Sequence, residues 1–128
     1  MTEAMRPRFF NGLLEIPVHH VRGGTSTGIV LDERCLPGEI TLREELIRNI
    51  MGVPLAGEAP DNRQVAGLGR GVSTSNKVFI IAAPSHPGAD IDNQHAQLSA
   101  GKAAIDWSVN CGNMSAALPY VAFELGLL

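Results

Sequence analysis

Residues able to do chemistry fall into three short polar clusters. The sharpest is Asn110-Cys111-Gly112-Asn113, directly before the apolar run Met114 to Leu125. If that run is a helix, Cys111 stands at its start, where the positive end of the helix dipole lowers a thiol pKa and favours thiolate. The amides of Gly112 and Asn113 are then free to hold a carboxylate beside the sulfur. The competing reading is a buried structural cysteine. A polar quartet opening an apolar helix is hard to explain by packing.

The second cluster runs from Gly67 through Gly69, Gly71, Ser73, Thr74, Ser75 and Asn76 to Lys77. It places hydroxyls and one lysine just ahead of a β-branched run. That arrangement reads as an anion-holding loop with Lys77 as charge or proton donor, or as a solvated lysine at a strand start. The spaced glycines lack the strand–turn–helix setting of a dinucleotide site. The third cluster, Arg22 to Gly28, has a Gly-Gly-Thr-Ser core whose amides and hydroxyls could face a carboxylate. It lacks a P-loop lysine, and an ordinary hairpin turn is the alternative. Cys35, followed by Leu36-Pro37-Gly38, reads as a packing residue. His19 and His20 would point to opposite faces of a strand, and His86 and His95 have no ligand-spaced partners, so no metal site is expected.

The elements that must position these clusters follow from pattern. Leu13 to Val21 reads as one strand, with Pro17 placing it near an edge. Arg22 to Gly28 is a hairpin tip, and Ile29-Val30-Leu31 a short strand beyond it. Thr41 to Met51 is an amphipathic helix with a Thr41/Glu44 capping box and an apolar stripe of Leu42, Leu46, Ile47 and Ile50; Gly52 and Pro54 stop it. Gly57 to Gly71 is loop. Lys77 to Ala83 reads as a strand covered on both faces, and Ala96 to Ser99 and Ala103 to Trp107 as further strands. Met114 to Leu125 has no polar face, which predicts a helix enclosed by protein, with Pro119 kinking it.

Composition narrows the function classes. The chain has 128 residues, 45% hydrophobic and 18% charged, which suffices for one packed domain. A net charge of −3 and no cationic run argue against nucleic-acid and anionic-membrane partners. The stretch Trp107 to Phe123 is interrupted by Asn110, Asn113 and Pro119 and falls short of a spanning run. Two cysteines without CxxC spacing, and no apolar leader at the start, predict a cytoplasmic setting.

With those clusters in view, the chain resembles the 2-methylaconitate isomerase (PrpF) family, whose relatives include methylitaconate isomerase and 4-oxalomesaconate tautomerase. The resemblance rests on Arg22 to Gly28, Gly67-Leu68-Gly69, Ser73 to Val78, Ala89-Asp90 and Ala96-Gln97. It continues through Asp106 to Met114 and Glu124 to Leu127. These run in family order along nearly the whole chain. Thr27 stands where the family's first motif has a lysine or arginine, and Asn76 where it has serine.

The resemblance implies an α+β, diaminopimelate-epimerase-like fold, with a β-sheet wrapped around a central hydrophobic helix. Residues 1–128 would form a partial N-terminal domain, an incomplete single lobe of a two-lobed fold. It also implies a cofactor-independent isomerase that moves a proton across the allylic system of a small unsaturated di- or tricarboxylate. By position, Cys111 and Lys77 would be the catalytic acid/base residues, with Thr25, Ser26, Ser73, Thr74, Gly112 and Asn113 as substrate-binding contacts. The rival expectation is a truncated, non-catalytic remnant acting as a binding or assembly module; a Cys–His hydrolase ranks below both. Strands missing beyond the central helix would leave apolar surface and sheet edges open, which predicts a homo-oligomer, most simply a two-fold dimer.

Overall fold

The computed structural model describes residues 6–108 and 117–127. A small antiparallel hairpin comes first, β1 (Arg8–Phe10) and β2 (Leu13–Glu15). Its turn is Asn11-Gly12, with φ of 52° and 74°, the left-handed pair that a tight two-residue hairpin requires. Five strands then build the main sheet: β3 (His19–Gly23), β4 (Ser26–Asp32), β5 (Lys77–Ala82), β6 (Asp92–Ser99) and β7 (Lys102–Asp106). They lie in sequence order, and only β4 and β5 pair in parallel. The crossover between those two strands carries α1 (Ile40–Met51), and a second helix, α2 (Leu118–Glu124), follows the sheet.

The unbroken apolar runs of β4 and β5 arise because both faces of the sheet are covered. Ile29, Leu31, Val78 and Ile80, with Ala96 and Leu98 of β6, pack on Ile47 and Met51 of α1. Val30, Phe79 and Ile81 turn the other way, onto Leu118, Val121, Ala122 and Leu125. Strict alternation along each strand thus feeds two cores.

Several expectations need correction. Leu13 to Val21 is not one strand: Pro17 lacks an N–H for the ladder, and the chain passes from one sheet to the other across it. The cap of α1 is Glu39, whose carboxylate accepts from Thr41 N and Leu42 N at 3.0 Å each, so Thr41 lies inside the first turn. Those backbone hydrogen bonds hold the Glu39 carboxyl below its ordinary pKa. Leu42 is exposed, and Met51 takes its place in the buried stripe. Gly52 ends the helix at φ 76°, as its position suggests. Pro119 falls in the first turn of α2, where its missing N–H costs nothing, so it does not kink the helix. Nor is α2 enclosed among the described residues: Tyr120 and Phe123 are 68% and 71% exposed. No described helix is long and apolar enough to cross a membrane.

Two local devices hold the halves together. Leu68 N and Gly69 N donate to Ile50 O and Met51 O, satisfying the last carbonyls of α1 with the glycine loop. That approach is so close that a Cβ at Gly67 would collide with the backbone of Met51 and Gly52. At the far end of β4, buried Asp32 caps the 3-10 turn Glu33–Cys35 through Arg34 N at 2.9 Å and takes the Arg34 guanidinium at 2.5 Å. Arg34 Nη2 also reaches Leu125 O at 3.3 Å, tying α2 to this end of the sheet.

Gly67→Ala is expected to cost about 1–3 kcal/mol, the usual range for overpacking. Gly38→Ala, whose Cβ would meet nothing within 4 Å, should stay within about 0.5 kcal/mol of the unaltered chain. Urea denaturation of both variants checks the contrast.

The Asp32 pair should also show in the pH dependence of stability. Burial pushes the Asp32 carboxyl up, but the Arg34 hydrogen bonds and charge outweigh that and hold it below its ordinary value. A lowered folded-state pKa means stabilisation that is complete above about pH 4, the unfolded value, and lost as pH falls through the folded one. Asp32→Asn should therefore weaken the protein near neutrality by about 1–3 kcal/mol and flatten the acid limb. Denaturant midpoints from pH 7 to pH 2 test this; an equal loss across the range would refute it.

Candidate functional site

Register brings two of the three polar clusters to one end of the sheet. Lys77 opens β5 beside Gly28 of β4 and opposite Gln97 of β6, and Asp106 of β7 continues the row. The hairpin tip, Gly24-Thr25, lies three to four residues from Gly28. There Gly24, at φ 58°, turns the chain between Gly23 and Ser26, and Arg22 Nε closes onto Gly24 O at 3.2 Å. The 3-10 turn Ser73–Ser75, which precedes Lys77, packs against β4. Thr25, Ser26, Ser73, Thr74 and Lys77 therefore share one end of the fold, with Ser26 buried and Thr25, Ser73 and Thr74 exposed. Cys111, Gly112 and Asn113, with Asn110, lie outside the described residues.

Alternation decides which face Lys77 uses. Val78 and Ile80 point to α1, so Lys77, Phe79 and Ile81 share the α2 face, and Gln97 joins them across the ladder. Half-buried Lys77 donates from Nζ to Gln97 Oε1 at 2.7 Å. Among the described residues no carboxylate comes within ion-pairing distance of that ammonium. α2 ends beside Arg34, beyond the C-terminal end of β4.

The turn ahead of Lys77 is locked from below by two buried amides. Gln64 Nε2 donates to Met51 O at 3.0 Å and to Asn76 Oδ1. Gln64 Oε1 accepts from Asn76 Nδ2 at 3.1 Å and from Gly71 N at 2.6 Å. Asn76 Nδ2 also reaches Val72 O at 2.9 Å. Gln64 is left-handed at φ 58°, a conformation few non-glycine residues adopt without compensation, and these hydrogen bonds supply it. A Cβ at Gly69 would collide with this pair. The glycine spacing thus serves the packing of a loop, ahead of the hydroxyl-bearing turn. Composition alone could not find Gln64; two glycines flanking a leucine beside a buried glutamine is the signal it leaves.

Around the neighbouring strands, His95 stacks on Phe79 with ring centroids 4.4 Å apart. A cleft of about 550 Å³ opens beside it, lined by Glu44, Asn93, Gln94, His95, Trp107 and Ser108. Trp107 Nε1 donates to Glu44 Oε2 at 2.9 Å, so Glu44 braces the chain after β7 and is not a solvated helix residue. Asp106 accepts from Ser108 Oγ and N; those bonds, and more weakly the charge of His95, hold its carboxyl below the ordinary pKa. Cys35 is buried and its thiol is pushed up by burial, which suits packing over reactivity. No group of three or more metal-ligating side chains occurs among the described residues.

Known proteins resemble the chain over most of its length. The chain is 39% identical over 111 residues to a 3-methylitaconate isomerase of Eubacterium barkeri, covering 87% of this chain and 28% of that protein. It is 33% identical to a 2-methyl-aconitate isomerase of Cupriavidus necator (90% and 29%). It is 37% identical to a 4-oxalomesaconate tautomerase of Pseudomonas putida strain KT2440 (91% and 31%). A crystal structure of methylitaconate-delta-isomerase superposes with a TM-score of 0.78 at 37% identity, over 88% of this chain and 27% of that one. The chain spans less than a third of the length of these relatives, matching an N-terminal portion. The family model described as PrpF protein matches residues 13–128, and the chain belongs to that family.

Proposed function

We propose that this chain carries part of the active site of a cofactor-independent isomerase acting on small unsaturated di- or tricarboxylates. The observation that supports it most is the Lys77 ammonium, held by a neutral amide at the sheet end where the two hydroxyl-bearing turns converge. Thr25, Ser26, Ser73 and Thr74 are the contacts for a substrate carboxylate, together with Gly112 and Asn113. In the reaction, the Cys111 thiolate takes a proton from the carbon next to a carboxylate. The electron pair spreads over the allylic system and carboxylate, where Lys77 stabilises the charge as it develops. A proton returned at the far carbon completes the shift of the double bond, with no change in oxidation state. Relatives named as isomerases of methylitaconate and methyl-aconitate favour this substrate class.

The measurement is deuterium incorporation from D2O into a methylitaconate- or aconitate-type acid, followed by NMR. Lys77→Met and Cys111→Ser should each slow exchange by about 10²–10⁴-fold, the span of general acid–base contributions. Exchange at an unaltered rate in either variant removes that residue from the mechanism, and an unaltered rate in both overturns the reading.

The open face of α2 supports a homodimer. Tyr120 and Phe123 stand free in solvent, and covering a side chain of that size is worth about 1.5–3 kcal/mol. Sedimentation velocity at micromolar concentration should show a dimer that Phe123→Glu returns to monomer. A compact monomer in the unaltered chain would remove the proposal.

A further inference from the structure

We propose that Gln97 is the positioning residue for Lys77, aiming its ammonium by an amide whose orientation the backbone dictates. This rests on the reading of Lys77 as the charge-holding group. Lys77 and Gln97 are direct cross-strand partners on one face, a spacing at which side chains interact. Gln97 Nε2 faces three carbonyls: Ser73 O at 2.9 Å, Leu98 O at 3.1 Å and Asn76 O at 3.2 Å. A glutamine amide has two N–H donors and one accepting oxygen, so three carbonyls occupy the donor end completely. Only Oε1 is left for Lys77 Nζ. The reversed amide would set its oxygen against three carbonyl oxygens and its N–H groups against an ammonium, and both contacts repel. Gln97 therefore links two jobs. It fixes the Ser73–Ser75 turn through its nitrogen and points the lysine through its oxygen, so hydroxyls and charge are held in one frame.

The chain offers a clean readout because its only lysines are Lys77 and Lys102. Lys102 on β7 is exposed and serves as an internal standard. The full chain is treated with limiting N-hydroxysuccinimidyl acetate, and acetylation of each lysine is read by mass spectrometry alongside the melting temperature. Gln97→Met should raise the Lys77-to-Lys102 ratio by about three- to tenfold, the range that losing one typical hydrogen bond supports. Gln97→Glu keeps an acceptor for Lys77 but sets its other oxygen against the carbonyls. Its ratio should stay at or below that of the unaltered chain, although its melting temperature falls.

A ratio that rises equally in both variants means Gln97 acts only through the turn, and overturns the proposal. So does an unchanged ratio in Gln97→Met. In the exchange assay, Gln97→Met should lower kcat by about tenfold, the same hydrogen-bond scale, with KM little altered; a change confined to KM counts against a positioning role. Labelling needs no turnover, so failure of the isomerase reading leaves the acetylation result standing and the two failures give different patterns.

Discussion

The parallel pairing of β4 with β5 is the constraint on which the rest depends. It joins strands separated by more than forty residues of crossover, which makes it the slowest kind of contact to form and the one most in need of burial. Burial is supplied twice over, because Ile29 and Leu31 with Val78 and Ile80 feed the α1 core while Val30 with Phe79 and Ile81 feed the α2 core. A slip of one residue would exchange those sets and drive every side chain into the wrong layer. The register that packing enforces is also the one that sets Gly28 beside Lys77. Position of the candidate site is therefore a consequence of core packing.

Much of this was legible in the chain. The β-branched run Lys77 to Ala83 announces a strand covered on both sides, Ile29-Val30-Leu31 a short strand, and the Gly-Gly-Thr-Ser segment a hairpin tip. The cap of α1 was not legible, because Glu39 and Thr41 are both chemically able to cap and only the direction of chain entry chooses between them. The amide lock escapes for a deeper reason. Gln64 and Asn76 meet because a left-handed residue folds the loop back beneath α1, and neither spacing nor propensity encodes that return. The exposed aromatics of α2 were also hidden: an all-apolar sequence says that cover is needed, not which side receives it. For the site, Lys77 and the hydroxyls were visible as residue types. What the sequence lacked was Gln97 as the group that relates them, since cross-strand partners twenty residues apart leave no local signature.

The two ends of the β4–β5 pair handle charge in opposite ways. At one end Asp32 is buried against Arg34, each cancelling the other, and the resulting pair ties the turn after β4 to the end of α2. At the other end, the Lys77 ammonium is set among amides and carbonyls. The first arrangement suits stability, since a buried charge without a partner is costly. The second suits a ligand that brings its own negative charge.

That contrast explains why a glutamine suits the position beside Lys77 better than a glutamate. Two unit charges 4 Å apart interact by about 4 kcal/mol at an effective dielectric constant of 20. A carboxylate against Lys77 would therefore commit most of the ammonium's field to the protein itself, and any incoming anion would have to displace it. The neutral Oε1 of Gln97 fixes the direction of the ammonium while leaving its net charge whole. Its own second contact, through Nε2 to the Ser73 and Asn76 carbonyls, keeps it from turning away. Aim comes from a group that does not compete for the charge, and the field at the sheet end stays available to an anionic ligand.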